Sequence, residues 1–255
     1  MLHPDKTIQM PTIGILGVTI PGAIDFLSKL HKDFHGAFPG HHHPNIVLHK
    51  LDFSPTHKAQ NAGEWQTVED RLVESTQALV RAGANFVAIP ANTVHKVIEG
   101  ISRRTTIPVL NMIELVAVEC QLQGLKKVGI MGTRWTMADH IYQKLLHTRG
   151  ITEVIPTVTE QLAIQDAIFQ ELIPTGTVKP ETLTGLLRIV DNLKSQGCDA
   201  VVLACTELPL VLNTQNCKII ALDTTAILAT ATKKHALALL NEQLIAKPNL
   251  PISRL

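Results

Sequence analysis

The chain has 255 residues, 45% of them hydrophobic and 18% charged, with a formal net charge of +1. That is enough for one large or two modest domains with a sizeable core, and the near-neutral balance gives no electrostatic reason to expect nucleic acid or an anionic membrane as a partner. None of the four cysteines (Cys120, Cys198, Cys205, Cys217) forms a CxxC pair, so neither a zinc site nor a redox motif is indicated; with no signal-peptide pattern and no stretch of membrane-spanning length, a cytoplasmic, reduced protein is expected.

Residues 12–18 read as a buried first strand. A turn at 19–22 leads to a helix from Ala23 to Lys32, with Ile24, Leu27 and Leu30 on one face. The glycines here do not make GxGxxG and no Gly-Lys-Ser/Thr follows, so a nucleotide loop is not indicated. Residues 31–44 form a loop rich in His, Gly and Pro. A consecutive triplet such as His41-His42-His43 does not easily wrap one ion, and no carboxylate or cysteine stands beside it, so a solvated loop is expected. The second strand runs from Asn45 to Phe53. A helix over 67–82 turns Val68, Leu72, Leu79 and Val80 inward, and Gly83 ends it. The third strand spans 85–90 and leads through Ala91-Asn92-Thr93-Val94-His95 into another helix. The fourth spans 107–111, and a helix over 112–123 comes next.

The pattern then begins again. Residues 127–133 echo 12–18, a loop and helix occupy 134–148, and a strand covers 151–156. Helices occupy 159–172 and 181–195. Residues 197–199 enter the strand before Cys205 much as 83–85 enter the strand before Ala91. Residues 218–223 match 106–111, and a last helix runs over 224–244. Gly14 pairs with Gly129, Ala91 with Cys205 and Asn111 with Asp223, at nearly one spacing. Strands alternating with helices call for parallel sheets wound on both faces. The expected fold is therefore α/β, with two pseudo-symmetric, doubly wound parallel-sheet domains and a cleft between them. The expected division is 1–117 plus 224–255 for the first domain and 118–223 for the second, with the helices over 112–123 and 224–244 exchanged or bridging.

Val201-Val202-Leu203-Ala204 make a buried strand with Cys205 at its carboxyl end, followed by Thr206 and Glu207. Ligands of open α/β sheets collect at such ends. Cys205 is the candidate reactive residue. A helix start there would lower its thiol pKa, whereas a closed apolar pocket would raise it. The other three cysteines read as structural, with Cys217, in a polar loop, the most exposed.

Taken together, Val47-Leu48-His49, Asp52-Phe53, Gly63-Glu64-Trp65, Asn92-Thr93-Val94-His95-Lys96-Val97, Gly132-Thr133-Arg134-Trp135-Thr136-Met137, Cys205-Thr206-Glu207 and Asp223-Thr224-Thr225-Ala226-Ile227 resemble the aspartate/glutamate/hydantoin racemase superfamily. The likeness runs from Ile13 to about Ala231 and is nearest the broad-specificity amino-acid racemases. It implies a two-domain, pseudo-symmetric fold, a homodimer, a small amino-acid substrate, and chemistry without pyridoxal phosphate or metal. In such enzymes one thiolate removes the α-proton and a thiol on the opposite face returns one, since neither reaches both faces. By matching position the resemblance makes Cys205 one acid/base. It makes Asn92, Thr93 and Thr206 carboxylate binders, sets Thr133 and Thr136 in the wall, and gives His95 either an orienting or a packing role.

The chain also departs from the family. The first catalytic cysteine falls at position 91, which is Ala91. Gly17-Val18-Thr19-Ile20 replaces a glycine-rich stretch, so Val18 and Ile20 are expected to narrow the pocket. Ala204 replaces a glycine. A basic residue found in the second-strand loop of some relatives has no clear match, with Lys50, His57 and Lys58 as candidates. Three readings are open. One is a racemase, impaired or one-sided, with water or Thr93 serving the second face. Another is a single-cysteine decarboxylase of the same superfamily. The third is a non-catalytic amino-acid-binding protein.

Overall fold

The computed structural model describes residues 9–38 and 42–246. In the first half, β1 (Thr12–Gly17), α1 (Ile20–Phe34), β2 (Asn45–Lys50), α2 (Phe53–Ala62), α3 (Trp65–Arg81) and β3 (Phe86–Ala88) come first. A 3-10 turn (Thr93–Val97), α4 (Ile98–Arg103) and α5 (Met112–Leu122) complete it. In the second half, β4 (Lys127–Gly132), α6 (Arg134–Ala138), α7 (Gln143–His147), β5 (Thr152–Val154) and α8 (Val158–Asp166) lead to a π-helical turn (Ala167–Leu172). Then come α9 (Ile173–Thr175), α10 (Pro180–Ser195), β6 (Ala200–Ala204), a 3-10 turn (Leu208–Leu210), α11 (Thr214–Cys217), β7 (Ile220–Asp223) and α12 (Thr224–Ala246).

The strands form two parallel sheets, ordered β2-β1-β3 and β5-β4-β6-β7. The strands β1, β3, β4 and β6 are covered on both faces, which is why they read as continuous apolar runs rather than alternating ones; β2, at the sheet edge, is largely exposed. In β6, Val201 and Leu203 enter one buried cluster while Val202 and Ala204 enter the other. In β1, Leu16 packs on one side and Ile13 and Ile15 on the other.

The repeat extends to individual hydrogen bonds. Asn85 Oδ1 accepts from Thr12 N–H at 2.7 Å, and Asp199 Oδ2 accepts from Lys127 N–H at 2.9 Å. Asn111 caps α5 through the N–H groups of Ile113 and Glu114. Asp223 caps α12 in the same way through Thr225 and Ala226. Each cap satisfies donors that a helix start otherwise leaves open.

The two long connecting helices tie the sheets together. Met112 of α5 packs against the first sheet, and Val116 and Cys120 against the second. Leu228, Ala229, Ala236 and Leu240 of α12 pack with Phe26 and Leu30 of α1 under the first sheet.

Several elements differ from the sequence expectation. The fourth strand shrinks to one parallel bridge, Val87 with Val109, because Pro108 has no N–H to extend the ladder. The second strand stops at Lys50, and Asp52 instead caps α2, accepting from Ser54 N–H at 3.2 Å. α1 starts at Ile20, capped by Thr19 with Pro21 in its first turn, and buries Ala23, Phe26, Leu30 and Phe34. Ile24, expected inward, is 61% exposed. The loop and helix expected over 134–148 are two short helices, α6 and α7, on either side of His140, which has a positive φ of 49°. Cys217 closes α11 and is buried, as are the other three free cysteines. His41 lies outside the described residues, and His43 is exposed and stacks on Phe34.

Candidate active site

The carboxyl ends of β1, β3, β4 and β6 converge on one cleft of about 50 Å³, room for a few water-sized groups. Val18 and Thr19 come after β1, and Ala91 to Val94 after β3. Thr133 and Trp135 come after β4, while Ala204 to Glu207 end β6. Parallel strands with helices on both faces bring these turns together at one end of each sheet. Ala91 and Cys205, matched by the repeat, thus line the same space.

Cys205 is 6% exposed. Its Sγ–H donates to Glu207 Oε2 at 3.1 Å. Burial pushes the thiol pKa well up and the Glu207 charge pushes it further, while the backbone N–H groups of Glu207 and Thr206 pull it down. The turn therefore supplies the donors expected of a helix start. They are outweighed because the next element is a three-residue 3-10 turn rather than a long helix, and because a carboxylate sits beside the sulfur.

Glu207 is 2% exposed and accepts three hydrogen bonds. Besides Cys205, Thr206 Oγ1–H donates to Oε2 at 2.7 Å and Thr19 Oγ1–H to Oε1 at 3.0 Å. Sequence reasoning placed Glu207 within a motif but gave it no role. The signal that could have found it was an acid set directly after a buried strand and next to two donors. Gly22 closes this corner: a Cβ there would stand 2.7 Å from Thr206 Oγ1 and 2.8 Å from Thr19 Oγ1.

Three hydroxyls form a closed ring. Thr93 Oγ1 lies 2.8 Å from Thr133 Oγ1 and 3.1 Å from Thr136 Oγ1, and Thr133 and Thr136 are 3.1 Å apart. Three protons serve three bonds, so one hydroxyl must rotate to meet an incoming carboxylate. Thr93 and Thr133 line the cleft, whereas Thr136, expected in the wall, is fully buried behind them.

Asn92 also lines the cleft, but its Oδ1 accepts from Tyr142 and its Nδ2 donates to Thr224 Oγ1 at 3.1 Å. Thr224 in turn donates to Leu203 O at 3.0 Å. One Asn92 N–H is left for a ligand. His95 does not line the cleft. Its Nε2 accepts from Met112 N–H at 3.0 Å, so Nδ1 carries the proton and donates to Ala91 O at 2.8 Å. Burial holds its pKa down at about 4. As a neutral imidazole it braces the turn that carries Ala91 against the start of α5.

The rest of the lining is apolar. Trp135 and Phe169 meet with ring centroids 6.2 Å apart. His57 stacks between Phe53 and Phe169, at 5.3 and 5.1 Å. Burial, with Arg134 nearby, pushes its pKa below the usual range. Lys50 and Lys58 are exposed, so none of the three candidate basic residues lines the cleft. Val18 does line it, but Ile20 is 57% exposed and does not narrow it. Phe169 and Ile168 stand on the π-helical turn, which no local sequence signal revealed. Among the described residues no group of three His, Cys, Asp or Glu side chains is arranged to hold a metal ion.

An α/β protein with two parallel sheets of matching strand order, whose strand ends share a thiol-bearing cleft, has the architecture that the resemblance implied. The chain belongs to the Asp/Glu/Hydantoin racemase family, whose model matches residues 15–232; membership places it in a family of isomerases. It is 28% identical over 219 residues to the broad specificity amino-acid racemase RacX of Bacillus subtilis (strain 168), covering 86% of this chain and 92% of that one. An aspartate racemase homologue from Pyrococcus horikoshii OT3 superposes with a TM-score of 0.76 at 30% identity, covering 89% of this chain and all of that one (100%). A glutamate racemase from Francisella tularensis in complex with D-glutamate shares the fold, with a TM-score of 0.67 at 14% identity, over 92% of this chain and 83% of that one. No described helix is long and apolar enough to cross a membrane.

Proposed function

We propose that the protein transfers a proton at the α-carbon of a small amino acid without a cofactor, with Cys205 as the acid/base of one face, and that turnover is one-sided because Ala91 has no proton to exchange. The observation that carries this is the Cys205–Glu207 hydrogen bond of 3.1 Å inside the cleft. At rest the thiol is protonated, the form that gives a proton to a carbanion. For the reverse step Glu207 takes the thiol proton. The thiolate then takes the α-hydrogen, leaving its electron pair on the α-carbon as an enediolate-like charge. The hydroxyls of Thr93 and Thr133, backed by Thr136, and the remaining N–H of Asn92 hold the α-carboxylate where that charge develops. Return from the same face restores the starting enantiomer. Inversion requires water or the Thr93 hydroxyl on the other face, and a hydroxyl is far less acidic than a thiol.

The test is chiral chromatography of single enantiomers, starting with those of aspartate and glutamate, incubated with wild type and Cys205→Ser. The expected result is slow inversion that the substitution abolishes. Equal rates from both enantiomers, retained by Cys205→Ser, would sink the proposal.

A single-cysteine decarboxylase is the second reading. The neutral resting thiol and the apolar wall favour it, since only a proton donor is needed after carbon dioxide leaves. Release of carbon dioxide from an aryl-substituted malonate, absent in Cys205→Ser, would establish it. The homodimer, the cytoplasmic location and the two-domain division belong to the same proposal. Light scattering tests the first, and the packing of α12 on α1 supports the third.

A further inference from the structure

The distribution of charge around the cleft bears on which amino acid enters it. Among the described residues that line it, the Glu207 carboxyl is the one ionisable group besides the Cys205 thiol. No Lys, Arg or His lines the space. The Arg134 guanidinium lies over the Trp135 ring at 4.7 Å and donates to Asn61 Oδ1 at 2.7 Å, outside the lining. The wall is built instead from Phe53, Trp135, Ile168, Phe169 and Ile173, with the neutral amide of Gln60 as its polar member. A carboxylate taken out of water needs a cation or a full set of donors to offset its lost hydration. The threonine hydroxyls and the Asn92 amide suffice for one carboxylate, the α-carboxylate common to all amino acids. A second, on an aspartate or glutamate side chain, would meet aromatic rings and the Glu207 charge.

We infer that the cleft selects an amino acid with an uncharged, apolar side chain over the dicarboxylic amino acids, with Trp135 and Phe169 as the residues that set this preference. The inference rests on the amino-acid reading of the same site. It commits to a substrate class: a monocarboxylic α-amino acid whose side chain is held by contact and desolvation rather than by ion pairing. Trp135 is delivered by the turn after β4. Phe169 is delivered by the π-helical turn, whose widened backbone sets the ring against Trp135 and His57.

The experiment is calorimetric titration of the full chain with both enantiomers of valine, leucine, methionine, aspartate and glutamate. It is paired with a measurement of deuterium uptake at the α-carbon of each. The expected result is at least tenfold tighter binding of an apolar amino acid than of either dicarboxylic one. Phe169→Lys should move that ratio at least tenfold toward the dicarboxylic ligands; if this variant does not melt cooperatively, the wild-type panel decides alone. Binding of aspartate or glutamate as tight as that of the apolar set overturns the inference, and so does binding of none of them. The two readings fail separately. Uptake confined to aspartate and glutamate overturns the side-chain inference and leaves proton transfer standing. Tight apolar binding with no uptake from any of the ten ligands upholds the inference and overturns proton transfer.

Discussion

Cys205 Sγ–H and Glu207 Oε2 meet at 3.1 Å inside one tight turn, two residues apart. The carboxylate holds the thiol proton and its charge raises the thiol pKa. Glu207→Gln removes the charge and keeps an acceptor. The Cys205 pKa should then fall, shifting the pH profile of its alkylation by iodoacetamide, read by peptide mass, to lower pH. Cα exchange should drop about 100-fold, since the proton relay is lost. An unchanged alkylation profile would show that Glu207 does not act on the sulfur.

Ala91 marks the other face. Ala91→Cys places a second thiol on the turn that the repeat matches with the Cys205 turn. Inversion should rise by about 100-fold or more, within the range that a positioned acid/base supplies. Chiral chromatography reads it. Mere exchange without faster inversion would mean that position 91 does not reach the opposite face.

Gly22 leaves no room for a methyl group beside Thr19 and Thr206. Gly22→Ala should cost about 1–3 kcal/mol through overpacking and should displace the two hydroxyls that hold Glu207. Denaturant melts read the first effect. A loss of exchange larger than the loss of stability reads the second.

His95 gives a pH dependence of stability. Burial lowers its pKa from 6.5 to about 4 in the fold. Between those values the unfolded chain binds more protons than the native one, so stability falls as pH drops from 6.5 toward 4. The loss amounts to about 3 kcal/mol in all, at up to about 1.4 kcal/mol per pH unit. Above pH 6.5 this contribution is complete and flat. His95→Gln should be less stable than wild type at pH 7.5, and the gap should narrow as the pH falls to 4. A constant gap in urea melts across that range would contradict it.

How much of this was legible depended on whether the signal was local. The strands before Ala91 and Cys205 announced themselves because β3 and β6 are covered on both faces, which demands unbroken apolar runs. The repeat was legible in Asn85 and Asp199, and in Asn111 and Asp223, because the members of each pair accept from backbone N–H groups at matching places in the two halves. α2 was missed although Asp52, Ser54 and Pro55 spell a helix start; the apolar run of β2 drew the strand too far. The inward face of α1 was misread because Thr19 and Pro21 start the helix earlier, and Phe26 rather than Ile24 meets the sheet. The aromatic wall was not legible. Phe53, Trp135 and Phe169 come from three distant segments, and nothing in their local sequence says they share a surface. Thr136 and His95 carry motif identities that place them near the cleft, but only packing shows that they stand behind it.

The most direct test of the central claim is proton NMR of single amino-acid enantiomers with the protein in deuterium oxide. One-sided proton transfer by Cys205 predicts that one enantiomer of a pair loses its α-proton signal while its configuration stays largely retained, and that Cys205→Ser stops the loss. Equal exchange and inversion of both enantiomers, surviving in Cys205→Ser, would contradict it.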